Sequence, residues 1–580
     1  MKASVQNNNN QVGFLKTSFI AATAVLMLSV PAIAKERFLV IYKSSQGYKA
    51  MNNYMNSEAA SPSVKLEDSL SYINGMVLSS KNSAQIENLK NHPEVAVVER
   101  EIFRELPKPV NGFRPALALQ TQQDDQSGVV NDSASLTVPV LKENYATPWG
   151  IIAVNAGAAW DKSQAGANAR VLVLDTGIDP QHPSLKANFE QGRNFFESDA
   201  GPNPEDFLDK EGHGTHCAGT IAGVYNDQTG FTGVAPLAKI LMGRVCGDLG
   251  CSNIAVAQGI NWGIKQKVDV ISMSLGGPRT SSAEQMAVAN AEAAGVVVVA
   301  ASGNSAGDQG YSSDKSKCSK MQNCGVSYPA ALPNVIAVGA VDSTLTRTVF
   351  SQFGPELSIV APGAAVVSTV PRGTGRDSIV EITLNGQATK VRSSAFAGTK
   401  LFTSPKVGEL VVAGLGKPED FAKVNVAGKI ALVRRGEIKF SDKVANAIAA
   451  KAIGVVIYNN TAGLMQGSIT EDGSELNVAV VMIEKTVGES LVEKMSAGQS
   501  AAASVITSAS DYAMFDGTSM ATPHVAGVAA LIKSANKKLT PAQVRQIIKQ
   551  TATPLSPNSN NEYGAGMIQA DKAVQMAVGL

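Results

Sequence analysis

The sequence predicts an α/β protein whose core carries a mostly parallel sheet, preceded by a small α+β unit and interrupted by a β-rich insertion. Three observations predict this class. The runs Val171-Leu172-Val173-Leu174 and Val296-Val297-Val298-Val299-Ala300 are apolar and nearly continuous, as strands buried on both faces of a parallel sheet are. Each run stops at a polar turn, Asp175-Thr176-Gly177 and Ser302-Gly303-Asn304, and in open α/β sheets ligands gather at the carboxyl ends of strands. The small-residue stretch Cys217-Ala218-Gly219-Thr220-Ile221-Ala222-Gly223 reads as a helix packed tightly in the interior.

Taken in order, the chain begins with Lys16 ahead of an apolar stretch from Ser18 to Val30, then a small-residue cleavage frame, Ala32-Ile33-Ala34. Residues 1–34 therefore read as a secretory signal, most simply a bacterial one, and the chain is expected outside the cell. The stretch is short for a membrane span of about 20 apolar residues. No later stretch looks like a membrane helix, so no membrane partner is expected after the signal is cut. Residues 35–102 form the α+β unit, with strands at Arg37 to Tyr42, Ile73 to Leu78 and Val95 to Glu99 and a helix from about Ser83 to Lys90. Residues 103–144 turn to Gln, Asp, Ser and Pro with little apolar periodicity, as an exposed and easily cut linker does. The core then occupies 145–380 and 509–580. The insertion at 381–508 shows a strand with an arginine turn at Val426 to Gly436, a helix at Ser441 to Lys451 and a strand at Ile453 to Asn460. A length of 580 residues allows a full core for each part. Lys+Arg at 50 against Asp+Glu at 49 leaves no basic excess, so nucleic acid is not an expected partner.

Three distant segments carry an Asp-His-Ser set in small-residue frames: Asp175-Thr176-Gly177, Gly212-His213-Gly214-Thr215-His216, and Gly517-Thr518-Ser519-Met520-Ala521-Thr522-Pro523-His524. A serine hydroxyl is a weak nucleophile, so it needs an imidazole to take its proton and a carboxylate to hold that imidazole in one tautomer. Each residue also has a plain structural reading: a strand-end turn for Asp175, a helix cap for Ser519. His216 is the competing base, but one helical turn from His213 it faces inward and is read as structural.

These frames resemble the subtilisin-like serine peptidases, the subtilases, in which the order along the chain is also Asp, His, Ser. The resemblance covers roughly Trp149 to the C-terminus with one interruption. It implies a three-layer core in which Asp175, His213 and Ser519 act as a triad and Asn304 donates its amide to an oxyanion beside the Ser519 N–H. It also implies that a peptide substrate adds to the edge at Ser274-Leu275-Gly276, with Ala301, Ser302 and Gly303 walling the primary pocket. No acidic residue stands in those stretches, which favours apolar over basic side chains there, although distal Asp308 is unplaced. Residues 35–102 resemble the I9-type subtilase propeptide, an intramolecular chaperone and inhibitor, and the insertion resembles the protease-associated (PA) domain. The resemblance implies a secreted serine endopeptidase that acts on proteins and peptides, needs no cofactor for catalysis and is made as a self-processed zymogen. A silent binding scaffold on the same fold is the alternative, and a lipase is disfavoured because the nucleophile frame is Gly-Thr-Ser-Met-Ala rather than G-x-S-x-G.

Of five cysteines, Cys246 and Cys251 lie close in sequence, as do Cys318 and Cys324. An oxidising destination implies two local disulfides, although four cysteines admit three connectivities. Cys217 is left over and reads as a small buried hydrophobe. Subtilases often carry structural calcium, and Val224 to Gly230 occupies the place of a loop that binds it in many members. Ser184, however, stands where calcium-binding relatives supply an Asp, so no metal ligand set is assigned.

Overall fold

The structure, a computed structural model, describes residues 36–57, 62–105, 138–141, 147–196, 203–227, 229–319, 323–460, 464, 468–470, 474–558 and 561–580, with the backbone of 114–115. The signal read over residues 1–34 and most of the linker lie outside the described residues.

The N-terminal unit is an antiparallel sheet of β1 (Glu36–Tyr42), β2 (Val64–Leu70), β3 (Gly75–Ser80) and β4 (Val95–Arg100), in the order β2-β3-β1-β4, with helices α1 (Ser45–Met55) and α2 (Ser83–Glu87). The strand period of two divides its faces. Phe38, Val40 and Tyr42 pack with Tyr48 and Ile86 of the two helices, while Leu39 and Ile41 join the core of the main domain. The strand expected from Ile73 starts at Gly75, because Ser71–Ile73 form a 3-10 turn and Asn74 takes a left-handed conformation at φ 49°. A short strand, β5 (Phe103–Arg104), follows.

The main sheet has seven parallel strands: β6 (Arg170–Asp175), β7 (Phe189–Asn194), β8 (Lys239–Arg244), β10 (Val270–Met273), β11 (Val297–Ala301), β12 (Val335–Val341) and β13 (Ile359–Pro362). Their order is β13-β12-β11-β10-β6-β8-β7, so the direction of winding reverses between β6 and β10, where such sheets open a crevice. Helices α3 (His213–Ala222), α4 (Asn253–Lys265) and α5 (Ser282–Ala293) belong to the same domain, and between β8 and α4 the strand β9 (Gly250–Ser252) folds back on Cys246–Gly247. This is the α/β core with a parallel sheet that the sequence predicts.

β5 pairs antiparallel with β9, Arg104 beside Cys251 and Phe103 beside Ser252. The linker expected from residue 103 therefore begins later, because these two residues are ordered by partners far away in sequence that local periodicity does not register.

After β13 the chain leaves the core. Strands β14 (Gly375–Leu384), β15 (Gln387–Val391), β16 (Ser393–Ala395), β17 (Lys406–Val412), β18 (Ile430–Arg434), β19 (Gly454–Tyr458), β20 (Ala479–Ile483) and β21 (Ala501–Ser510) form an eight-stranded mixed sheet ordered β15-β14-β21-β17-β18-β19-β20-β16. Helix α6 (Phe440–Ala449) connects β18 to β19. β14 and β21 pair antiparallel from Gly375 opposite Ser510 to Leu384 opposite Ala501, so the two ends of the insertion meet and the core closes beneath it. The sheet thus spans 375–510, a little wider than 381–508. The chain re-enters the core through Tyr512–Phe515 and α7 (Thr518–Ala535), which is buried from Thr518 to Lys533. A helix apolar on all sides belongs in the middle of a core.

Candidate active site

Four elements converge at one end of the main sheet. Asp175 closes β6, His213 opens α3, Asn304 follows β11 and Ser519 stands in the first turn of α7. His213 Nδ1 lies 2.7 Å from Asp175 Oδ1, which also accepts the Thr176 N–H at 2.7 Å. The glycine after His213 is obligatory for this approach, since a Cβ on Gly214 would fall 2.2 Å from the Gly177 carbonyl oxygen.

Asp209, which sequence reasoning missed, fixes the start of α3. Its Oδ1 accepts from the Glu211 and Gly212 N–H groups and the Thr176 hydroxyl, and its Oδ2 from the Thr215 N–H and hydroxyl. The available signal was an Asp three residues before a helix-initiating glycine, the residue type that satisfies orphan N–H groups at helix starts. Burial pushes its carboxyl up, against the pull of those hydrogen bonds.

Ser519 follows Gly517, whose φ of 157° is a conformation that side chains rarely adopt. The Ser519 hydroxyl donates to the Ser274 carbonyl at 3.1 Å, and His213 Nε2 is buried with no protein partner among the described residues. Pro523 has no N–H to offer the carbonyl four residues back. That carbonyl, on Ser519, is met instead by the Ser274 hydroxyl at 2.8 Å and the Cys217 thiol at 3.6 Å. Asn304 Oδ1 accepts both the N–H and the hydroxyl of Thr518 at 2.9 Å each, which fixes the amide and leaves its NH₂ end unused by Thr518.

Burial is the largest single influence on His213 and lowers its pKa, but the Asp175 carboxylate and the Cys217 sulfur beside it together outweigh that burial and hold the imidazole well above the ordinary value. His216 is different. Burial, with His213 beside it, drives its pKa down to about 3, and its Nε2 faces the carbonyls of Val366 and Ala513 while its ring stacks on Phe515. Cys217 is buried, with its thiol pushed up by that burial. Asp175, His213 and Cys217 bring ligand-type atoms within 4.8 Å of one another, and no other such group of three His, Cys, Asp or Glu occurs among the described residues. Ser184 is buried with its hydroxyl 2.8 Å from that of Tyr512, so the position that would need a calcium-binding carboxylate is filled by a neutral pair that does not fit the ion.

A cleft of about 750 Å³ opens beside Ser519, and Leu275, Gly276, Ala301, Gly303 and Asn304 line it. Ser274 and Ser302 do not. Ser274 supports the nucleophile from behind, and the buried Ser302 hydroxyl donates to the Gln352 carbonyl at 2.8 Å. Asp308 is exposed and lies outside the cleft lining. Of the three connectivities the cysteines allow, the structure has Cys246–Cys251 and Cys318–Cys324.

An Asp-His pair and a helix-initiating serine, gathered at the mouth of a parallel sheet over a peptide-sized cleft, define a serine-nucleophile α/β protein. The chain belongs to the subtilase family, whose family model matches residues 166–399 and 429–566. It is 40% identical to subtilisin NAT of Bacillus subtilis subsp. natto over 237 residues, 40% of this chain and 57% of that protein, so the match spans a little over half of that relative's length. An alkaline protease of Shouchella clausii is 32% identical over 364 residues, 61% of this chain and 82% of the relative. Among solved structures, the psychrophilic subtilisin-like protease Apa1 from the Antarctic psychrotroph Pseudoalteromonas sp. AS-11 matches with a TM-score of 0.56 at 29% identity, covering 74% of this chain and 99% of that one.

Proposed function

We propose that the protein is a secreted serine endopeptidase, made as a zymogen that its own active site processes. The observation that carries this reading is the His213–Asp175 pair at 2.7 Å beside Ser519, with the Asn304 amide oriented by Thr518 toward the same cleft. Ser519 Oγ attacks the scissile carbonyl carbon and gives its proton to His213 Nε2. Asp175 holds the tautomer with the proton on Nδ1 and stabilises the imidazolium that forms. The oxyanion is met by the Ser519 N–H and the Asn304 amide, both fixed before the reaction begins. His213 returns the proton to the leaving amine, and water then cleaves the acyl-enzyme by the same path. In the resting geometry the Ser519 hydroxyl rests on Ser274, so the first motion is a rotation of that hydroxyl toward His213 Nε2.

Residues 35–102 serve as propeptide in this reading, and their contacts support it. Glu99 accepts the N–H of Ser282 at 2.9 Å at the start of α5, placing a carboxylate on a helix N-terminus. Gln258 of α4 links Asp68 to Arg37, and Asn290 of α5 donates to the Tyr72 carbonyl. β5 then carries the chain into the cleft that holds Ser519. The signal at 1–34, the linker as the site of maturation and the insertion as a PA-like domain overhanging the cleft belong to the same proposal. No helix among the described residues is long and apolar enough to cross a membrane.

A fluorophosphonate probe on the purified protein, with casein hydrolysis measured in parallel, tests the reading. Labelling that maps to Ser519, disappears in Ser519→Ala and tracks casein cleavage supports it. A protein that neither reacts nor cleaves is a scaffold.

A further inference from the structure

Just past the N-terminal unit, on β5, the side chain of Arg104 lines the cleft and reaches through it to a fully buried charge, Glu284. Its guanidinium meets Glu284 with two nitrogens on two oxygens, Nη1 on Oε1 at 2.5 Å and Nη2 on Oε2. Nη2 also donates to the Arg279 carbonyl at 3.1 Å. The two side chains are 4% and 0% exposed. The arginine stem lies on Gly277, where an added Cβ would stand 3.0 and 3.1 Å from its Cδ and Cγ, so a glycine keeps the path open.

Glu284 has a structural task as well, since it completes the capping box of α5 by accepting the Ser281 N–H through Oε2 at 3.1 Å. A glutamine performs that task equally. What the carboxylate adds is charge, and Oε1 finds no partner among the described residues other than Arg104. A buried carboxylate stripped of its cation is costly, by several-fold more than the pair is worth at a surface. Once the N-terminal unit and β5 are released, as the proposed maturation requires, Glu284 is left in want of a cation behind Gly277 and Arg279, which line the substrate cleft.

Resting on the peptidase reading, we propose that Glu284 is a specificity determinant that selects substrates carrying an arginine upstream of the bond cleaved, and that Arg104 occupies that subsite in the zymogen. The distance follows from the chain. Gly277, under the arginine stem, lies three residues beyond Ser274, whose carbonyl holds the Ser519 hydroxyl. A substrate strand advancing about 3.3 Å per residue covers that span in about three residues. The favoured arginine therefore stands three to four residues before the scissile bond. The planar guanidinium suits the site better than an ammonium because it engages both oxygens at once.

The test walks a single arginine through an internally quenched peptide and replaces it by lysine, glutamine or glutamate at the best position. With the purified, fluorophosphonate-reactive enzyme, kcat/KM for the arginine peptide should exceed that for glutamine by about 30-fold or more, as expected for a desolvated charge pair. Lysine should fall between them and glutamate last. In Glu284→Gln, which keeps the cap, the arginine-to-glutamine ratio should fall toward one while the probe still labels Ser519. A flat profile in the wild-type enzyme overturns the inference even if the variant does not fold, and so does a preference that survives Glu284→Gln. If the probe labels nothing and no peptide is cut, the peptidase reading falls and this one with it; a labelled enzyme with a flat profile removes this inference alone.

Discussion

Two carboxylates near His213 serve it differently: Asp175 bears on its protonation and Asp209 on its position. Because Asp175 and Cys217 together hold the imidazole above its ordinary pKa against the effect of burial, His213 stays protonated and unable to accept the Ser519 proton until the pH passes that raised value. kcat/KM should therefore climb with pH through a midpoint above that of a free histidine, giving an enzyme that works best on the alkaline side. Asp175→Asn should lose about 10⁴-fold in kcat, the loss known for serine-peptidase triads, and move the midpoint down, both read from a pH–rate profile. Asp209 touches no substrate; it is a positioning residue that holds α3 through five accepted hydrogen bonds. Asp209→Ala should cost about 2–4 kcal/mol in chemical denaturation and lower kcat with little change in KM, because it strands buried donors and lets His213 drift. The Cys217 thiol, buried and neutral, should react with thiol reagents only on unfolding.

At the scale of elements, α7 shows how a residue that looks wrong locally is made right by its neighbours. Pro523 sits inside the helix and leaves the Ser519 carbonyl to the Ser274 hydroxyl and Cys217 thiol. Ser274→Ala should destabilise by about 1–3 kcal/mol, and adding Pro523→Ala, which restores a backbone donor, should recover part of that loss in a double-mutant cycle. The same elements explain what could be read from sequence. β6 and β11 were legible because strands buried on both faces are continuous apolar runs. β2 and α1 were not: Val64–Leu70 mixes Lys, Glu and Asp into its run, and Ser45–Met55 has only Tyr48 buried. Of the site, Asp175, His213, Asn304 and Ser519 stood out through their frames. Asp209, the support from Ser274 and the Arg104–Glu284 pair did not, because each depends on partners from distant segments that only the fold brings together.

The whole molecule joins a core, an insertion whose ends are clamped by β14 and β21, and an N-terminal unit whose sheet shares its apolar core with the main domain. That unit holds on through several polar contacts, of which Glu99 at the start of α5 is one. Glu99→Gln should weaken its grip and speed its loss during maturation, seen as earlier disappearance of the long form on a gel time course. On the proposed function, Ser519 performs both the cleavage of proteins and the first cut of its own chain. The most direct measurement is intact mass with N-terminal sequencing of the expressed protein, wild type beside Ser519→Ala, from a protease-free host. A shortened wild type, cut beyond residue 102, and a mutant that keeps the N-terminal unit are expected; a Ser519→Ala protein shortened at the same bond would contradict self-processing.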